Sequence, residues 1–231
     1  MAAGPAGRAQ PAYPGLARRV LGGYAFSWAY LGCFVVMQVV YAQLSAYGQS
    51  GLTAWASTSV VNLEHDPAGS LVVSAFVAGG SAVAWTALIA LAVFGANRAL
   101  GNGAVALVCL AGQVIGSLVS EGIVAYRVNA GQLPLSDRQL TDVGPSYLVM
   151  SAIVVAVLCG AWAARILALI DLAILAFPGD IFGGLGRLDV AAVGHLTAAV
   201  TAAACTAAMM IRRARRARRA APRRCPPRPR R

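Results

Sequence analysis

Runs of apolar residues, each about 17 to 25 long, alternate with short polar or Gly/Pro-bearing stretches along most of the chain, the pattern of successive bilayer crossings. They predict six membrane spans, at about 23–45, 70–95, 103–125, 143–160, 162–178 and 189–211. The fifth is short and begins directly after Ala161-Trp162, so a very tight turn joins it to the fourth and makes the two neighbours. The first two are separated by a loop of about 25 residues containing Gly51-Leu52-Thr53-Ala54-Trp55 and Asn62-Leu63-Glu64-His65-Asp66-Pro67. That loop is semi-polar and amphipathic in parts, as suits a segment at the interface. The residues up to about Leu21 run into the first apolar stretch without a convincing cleavage site, which predicts a retained span rather than a cleaved signal peptide. The expected fold is all-α: a polytopic membrane helix bundle of residues 23–211, preceded by a segment 1–22 and followed by an Arg/Pro-rich disordered tail 212–231.

Composition supports a membrane protein, because 58% hydrophobic and 12% charged residues leave too little polar surface for a soluble domain of 231 residues. Every basic residue is Arg and alanine abounds, a bias that points to a high-GC bacterial source and to the bacterial inner membrane. Arginine also orients the bundle, since cytoplasmic loops carry the excess of positive charge. With the N-terminus inside, the inner segments hold Arg8, Arg18, Arg19, Arg98, Arg165 and all eleven Arg of the tail, against Arg127, Arg138 and Arg187 outside. Both termini are thus expected in the cytoplasm. Ahead of Arg212 eight Arg balance eight acidic residues, so the net charge of +11 belongs to residues 212–231. Anionic lipid headgroups suit such a tail, at about 1 kcal/mol per basic residue near the surface. Nucleic acid is not the expected partner, since no folded basic domain or interleaved aromatics accompany the run. The Arg pairs separated by Ala can continue the sixth helix for a turn or two, until Pro222 interrupts it. Cys33, Cys109, Cys159 and Cys205 lie inside apolar runs and Cys225 in the tail, which offers neither a disulfide framework nor a CxxC pair. No spacing suggests a metal site, a phosphate-binding loop or another cofactor site.

The candidate chemistry lies where the fourth and sixth spans begin. Ser146 stands in Asp142-Val143-Gly144-Pro145-Ser146-Tyr147, and His195 follows Gly194. Both spans run inward from the outer face. At about 1.5 Å per residue, Ser146 lies roughly 6 Å below Asp142 and His195 roughly 9 Å below Asp189, a difference within hydrogen-bond reach. Asp142 can cap the helix and Pro145 suits its first turn, leaving Ser146 among backbone N–H groups without helical partners. Such donors stabilise an oxyanion, and imidazole is the base a serine hydroxyl needs. The bland reading is equally physical: serine packs membrane helices and histidine bridges them by a hydrogen bond.

In the order of these features the chain resembles the rhomboid family. It has six spans, an interfacial loop after the first, Gly-x-Ser opening the fourth and Gly-His opening the sixth. Residues 56–67 and 142–147 look like the divergent rhomboid-like proteins of actinobacteria, and the resemblance covers about residues 24–208. It implies a dyad that cuts transmembrane substrates, with Ser146 as nucleophile and His195 as base, supported by Gly144, Tyr147 and His65. Three positions depart from the protease pattern. Tyr147 replaces the second glycine of Gly-x-Ser-Gly, Gly69 stands where His-x-x-x-Asn beginning at His65 requires asparagine, and Ala56 follows Trp55 in place of arginine. Ala198 and Ala202 keep the four-residue small spacing of the sixth span. Two functions therefore stay open: an intramembrane serine endopeptidase, and an inactive rhomboid-like protein that binds transmembrane helices of partners. A small transporter using Asp171 and Glu121 is a weaker third, because two matching broken helices are lacking. Asp171 is expected to be paired or neutral, Glu121 to reach the interface from the outer end of its span, and Gln113 to bond between helices.

Overall fold

The computed structural model describes residues 22–220, and among these there is no strand. Helix α1 (Ala25–Gln43) buries one stripe, Ser27, Tyr30, Phe34 and Gln38, at helical spacing. Three short helices follow: α2 (Ala46–Ala56), α3 (Val60–His65) and α4 (Pro67–Val73). Ser45, Ser59 and Asp66 cap them, each side chain accepting from a backbone N–H three residues on. The bundle continues with α5 (Ala82–Leu100), α6 (Asn102–Asn129), α7 (Ser146–Cys159), α8 (Trp162–Ala176) and α9 (Val190–Ala220). Helices α1, α5, α6 and α9 are each long and apolar enough to cross a bilayer.

The expected second span at 70–95 is not one helix. A single 3₁₀ turn, Ser74–Phe76, ends α4, and the chain stays non-helical until Ser81 caps α5 by accepting from Ala84 N–H. Gly79 and Gly80 permit the break, Gly80 with φ +78°. It is held open by Gln38, whose amide donates to the Phe76 carbonyl at 2.9 Å, and by the Trp85 indole, which donates to the Gly79 carbonyl at 3.2 Å.

Helix α7 lies at the centre, packed by α5, α6, α8 and α9. Its 14 residues are buried on nearly every side, the expectation for a helix apolar all round. The tight turn to α8 is Gly160-Ala161, as the spacing predicts. Glycines set the closest approaches. A Cβ on Gly112 would stand 1.9 Å from Ser151 Oγ, and one on Gly116 would stand 3.1 Å from the Gly194 carbonyl. Gly112-x-x-x-Gly116 on α6 thus meets Gly194 and Ala198 on α9, the small-residue seam that lets membrane helices approach.

One end of the bundle gathers the start of α1, the α5–α6 turn and the far end of α9. Asn102 accepts from Phe26 N–H and from Asn97, and Arg213 donates to the Leu100 carbonyl at 2.9 Å. Helix α9 does not stop at residue 211, so the first part of the expected disordered tail is helical through Ala220. Arg and Ala are both strong helix formers, and the apolar part has already supplied the nucleus. Residues 1–21 and 221–231, with Cys225 and the last five Arg, lie outside the described residues.

Candidate functional site

The segment leading into α7 is built by hydrogen bonds to residues far away in sequence. Thr58 N–H donates to the Asp142 carbonyl at 2.9 Å, Thr58 Oγ1 to Asp142 Oδ2 at 3.1 Å, and Asp142 N–H to Ser57 Oγ at 2.9 Å. Two residues on, Gly144 N–H donates to the Ser74 carbonyl at 2.9 Å. Gly144 holds φ +143°, a backbone form essentially closed to other residues. Asp142 is therefore not the helix cap. Its carboxylate accepts from Thr58 and from the Tyr147 hydroxyl at 2.9 Å, and the N-cap position falls to Pro145, which makes no side-chain cap bond. Burial pushes the Asp142 carboxyl above the ordinary aspartate value, while the hydrogen bonds from Tyr147 and Thr58 pull it down.

Ser146 is the first residue of α7 and is half-buried, its Oγ 3.8 Å from where a Cβ on Gly144 would be. It thus lies where backbone N–H groups lack helical partners. His195 is buried on α9, and neither ring nitrogen has a hydrogen-bond partner among the described residues. No hydrogen bond joins Ser146 to His195 among those residues.

The side chain against His195 is Tyr147. The two rings meet edge to face, centroids 4.9 Å apart and planes at 79°. Tyr147 also fills the space above Gly194, where a Cβ would fall 2.1 Å from the ring's Cζ and hydroxyl. Its hydroxyl reaches Asp142 and, at 3.4 Å, the Val190 carbonyl. A residue that stands for a small glycine in the protease pattern here supplies a bulky wedge between α7 and α9.

His65 is exposed at the end of α3, its Nδ1 paired with the Val61 carbonyl of its own helix at 2.8 Å. It makes no bond to residues 142–147. Glu121, expected to reach the interface, is instead 2% exposed, and neither carboxylate oxygen has a partner among the described residues. It belongs to a buried stripe of α6 that includes Gln113, Ser117 and Ser120, at spacings of three to four residues. That spacing is legible in the sequence; which elements pack over the stripe is not. Gln113 donates to Ser74 Oγ at 3.2 Å, the interhelical bond its position suggests. Asp171 is fully buried, with both oxygens unpartnered among the described residues. No group of three or more His, Cys, Asp or Glu among the described residues has the proximity to hold a metal ion.

No curated protein and no solved structure matches the chain significantly. The family model for rhomboid-like proteins does match it, over residues 18–216. That range takes in α1 to α8, most of α9, and both Ser146 and His195, and with several apolar helices it makes this a multi-pass integral membrane protein. The chain belongs to the rhomboid-like protein family.

Proposed function

We propose that the protein binds transmembrane helices of partner proteins without cleaving them. The observation that carries this reading is the Tyr147 ring, edge-on to His195 and packed over Gly194, at the position where the protease pattern has a small glycine. A serine hydroxyl needs its base within hydrogen-bond reach. Further support comes from an apolar groove of about 580 Å³ that opens sideways between α1 and α5. On this reading the Arg-bearing end of the bundle is cytoplasmic, with both termini there and α7 and α8 completing six spans, in the bacterial inner membrane.

The test pairs labelling with capture. The purified protein is expected to resist a serine-directed fluorophosphonate probe while retaining single-span membrane proteins, and Ser146→Ala is expected to retain the same set. Labelling of the wild type that disappears in Ser146→Ala and His195→Ala would overturn the reading.

The second reading, an intramembrane serine endopeptidase, is favoured by one observation of its own. Ser146 opens α7 beside unpaired backbone donors. In that case His195 takes the Ser146 proton as Oγ attacks a scissile carbonyl, and Gly144 shapes the approach. Tyr147 must then swing off His195, so Tyr147→Gly should raise labelling.

A further inference from the structure

The helical end of α9 carries Arg212, Arg213, Arg215, Arg216, Arg218 and Arg219, all exposed. Arg98 and Arg165 lie at the same end of the bundle, which gives eight described cations there. None has a carboxylate partner among the described residues. The ion pairs among the described residues, Arg138–Glu64 and Arg187–Asp189, are both at the opposite end, with nearly all of the acidic residues. A concentration of like charge without counterions calls for an anionic partner.

Geometry narrows the choice. Helix α9 has 31 residues, about 46 Å at 1.5 Å per residue, whereas the hydrocarbon core takes about 30 Å. With Val190 at one boundary, Arg212 stands about 3 Å and Arg219 about 14 Å beyond the other. The first of these lie at headgroup level, and arginine side chains on the last turn can snorkel back to it. At about 100° per residue the six Arg cover an arc of roughly 220°, and Ala214 and Ala217 occupy the remainder. A helix lying flat on a membrane needs a broad apolar face opposite its charges; two alanines do not make one. The segment is also held at its base, by the bond from Arg213 to the Leu100 carbonyl.

We propose that residues 212–219 form a rigid basic post, standing upright and ringed by the phosphates of anionic lipids in the leaflet at that end. The proposal is independent of whether Ser146 is active.

The experiment uses the full-length protein in nanodiscs of phosphatidylcholine doped with labelled phosphatidylglycerol, and measures lipid enrichment around the protein. Wild type is expected to enrich phosphatidylglycerol over phosphatidylcholine about tenfold, and the quadruple variant Arg215→Gln, Arg216→Gln, Arg218→Gln, Arg219→Gln to lose most of that. Ala217→Pro keeps every charge but breaks the helix above the Arg213 anchor, and is expected to lose at least about threefold. Equal enrichment by Ala217→Pro and wild type would overturn the proposal, since a flexible polycation would then suffice. So would enrichment unchanged in the quadruple variant, displacement of the lipid by inorganic phosphate at matched concentration, or its displacement by a DNA duplex.

Discussion

Gly194→Ala tests whether the wedge between α7 and α9 is real. The added Cβ would stand 2.1 Å from Tyr147 Cζ, against an ordinary contact of 3.4 Å or more, so the ring must retreat by about 1.3 Å. It cannot do so freely, because its hydroxyl is tied to Asp142 at 2.9 Å and to the Val190 carbonyl at 3.4 Å. Losing the bond to a charged acceptor costs about 1.5–3 kcal/mol and overpacking about 1–3 kcal/mol, while Ala for Gly inside a helix returns about 1 kcal/mol. The net expectation is a loss of about 1.5–5 kcal/mol, measured by reversible unfolding in mixed detergent micelles. Tyr147→Ala is the control. It costs about 3–5 kcal/mol alone by leaving a cavity. In that background Gly194→Ala meets no ring and is expected to be neutral or stabilising by up to about 1 kcal/mol. The same cost for Gly194→Ala in both backgrounds would refute the argument, because the clash would not then be with Tyr147.

Gly144→Ala places a Cβ on a backbone at φ +143° and is expected to cost about 1–3 kcal/mol, with faster protease cleavage near residues 74 and 144; unchanged stability and cleavage would count against it. For Asp142 the sign of the pH effect is fixed by burial. The folded state holds the proton more tightly than the unfolded chain, so this contribution is complete below the ordinary value of 3.8 and is lost as pH rises through the higher folded value. Asp142→Asn keeps an acceptor for Thr58 and Tyr147, and its stability relative to wild type is expected to improve as pH climbs through that window; a pH-independent difference contradicts it. Asp171→Ala removes two unpartnered oxygens from a fully buried site and is expected to stabilise the bundle by about 1–2 kcal/mol in the same unfolding assay, so a marked loss would show that the carboxyl is satisfied.

The long helices were legible because apolar runs of bilayer length admit few other structures, and the Gly160-Ala161 turn because nothing longer fits between two apolar runs. The break at 77–81 was not, since hydropathy averages over a window and reads Gly79 and Gly80 as mildly apolar. Asp142 reads as a cap in the sequence because aspartate near a helix start is a local signal; its real partners, Thr58 and Tyr147, include one 84 residues away. The burial of Glu121 escapes the sequence for the same reason, as distance along a span does not reveal which neighbours close over a side chain. At the candidate site the sequence exposes the substitution of Tyr147 for glycine, but only three-dimensional packing puts its ring on His195.

Six hydrogen bonds tie Ser57, Thr58 and Ser74 to residues 140–144. During synthesis the first segment therefore waits, with α5 and α6 already made, for a strip of chain some eighty residues younger. Its short helices are each too brief to persist alone. Helices α5 and α6 are thus made before the threshold of α7 can be sewn to the earlier loop. Translation halted before residue 140 leaves the end of the molecule that frames Ser146 without its shape.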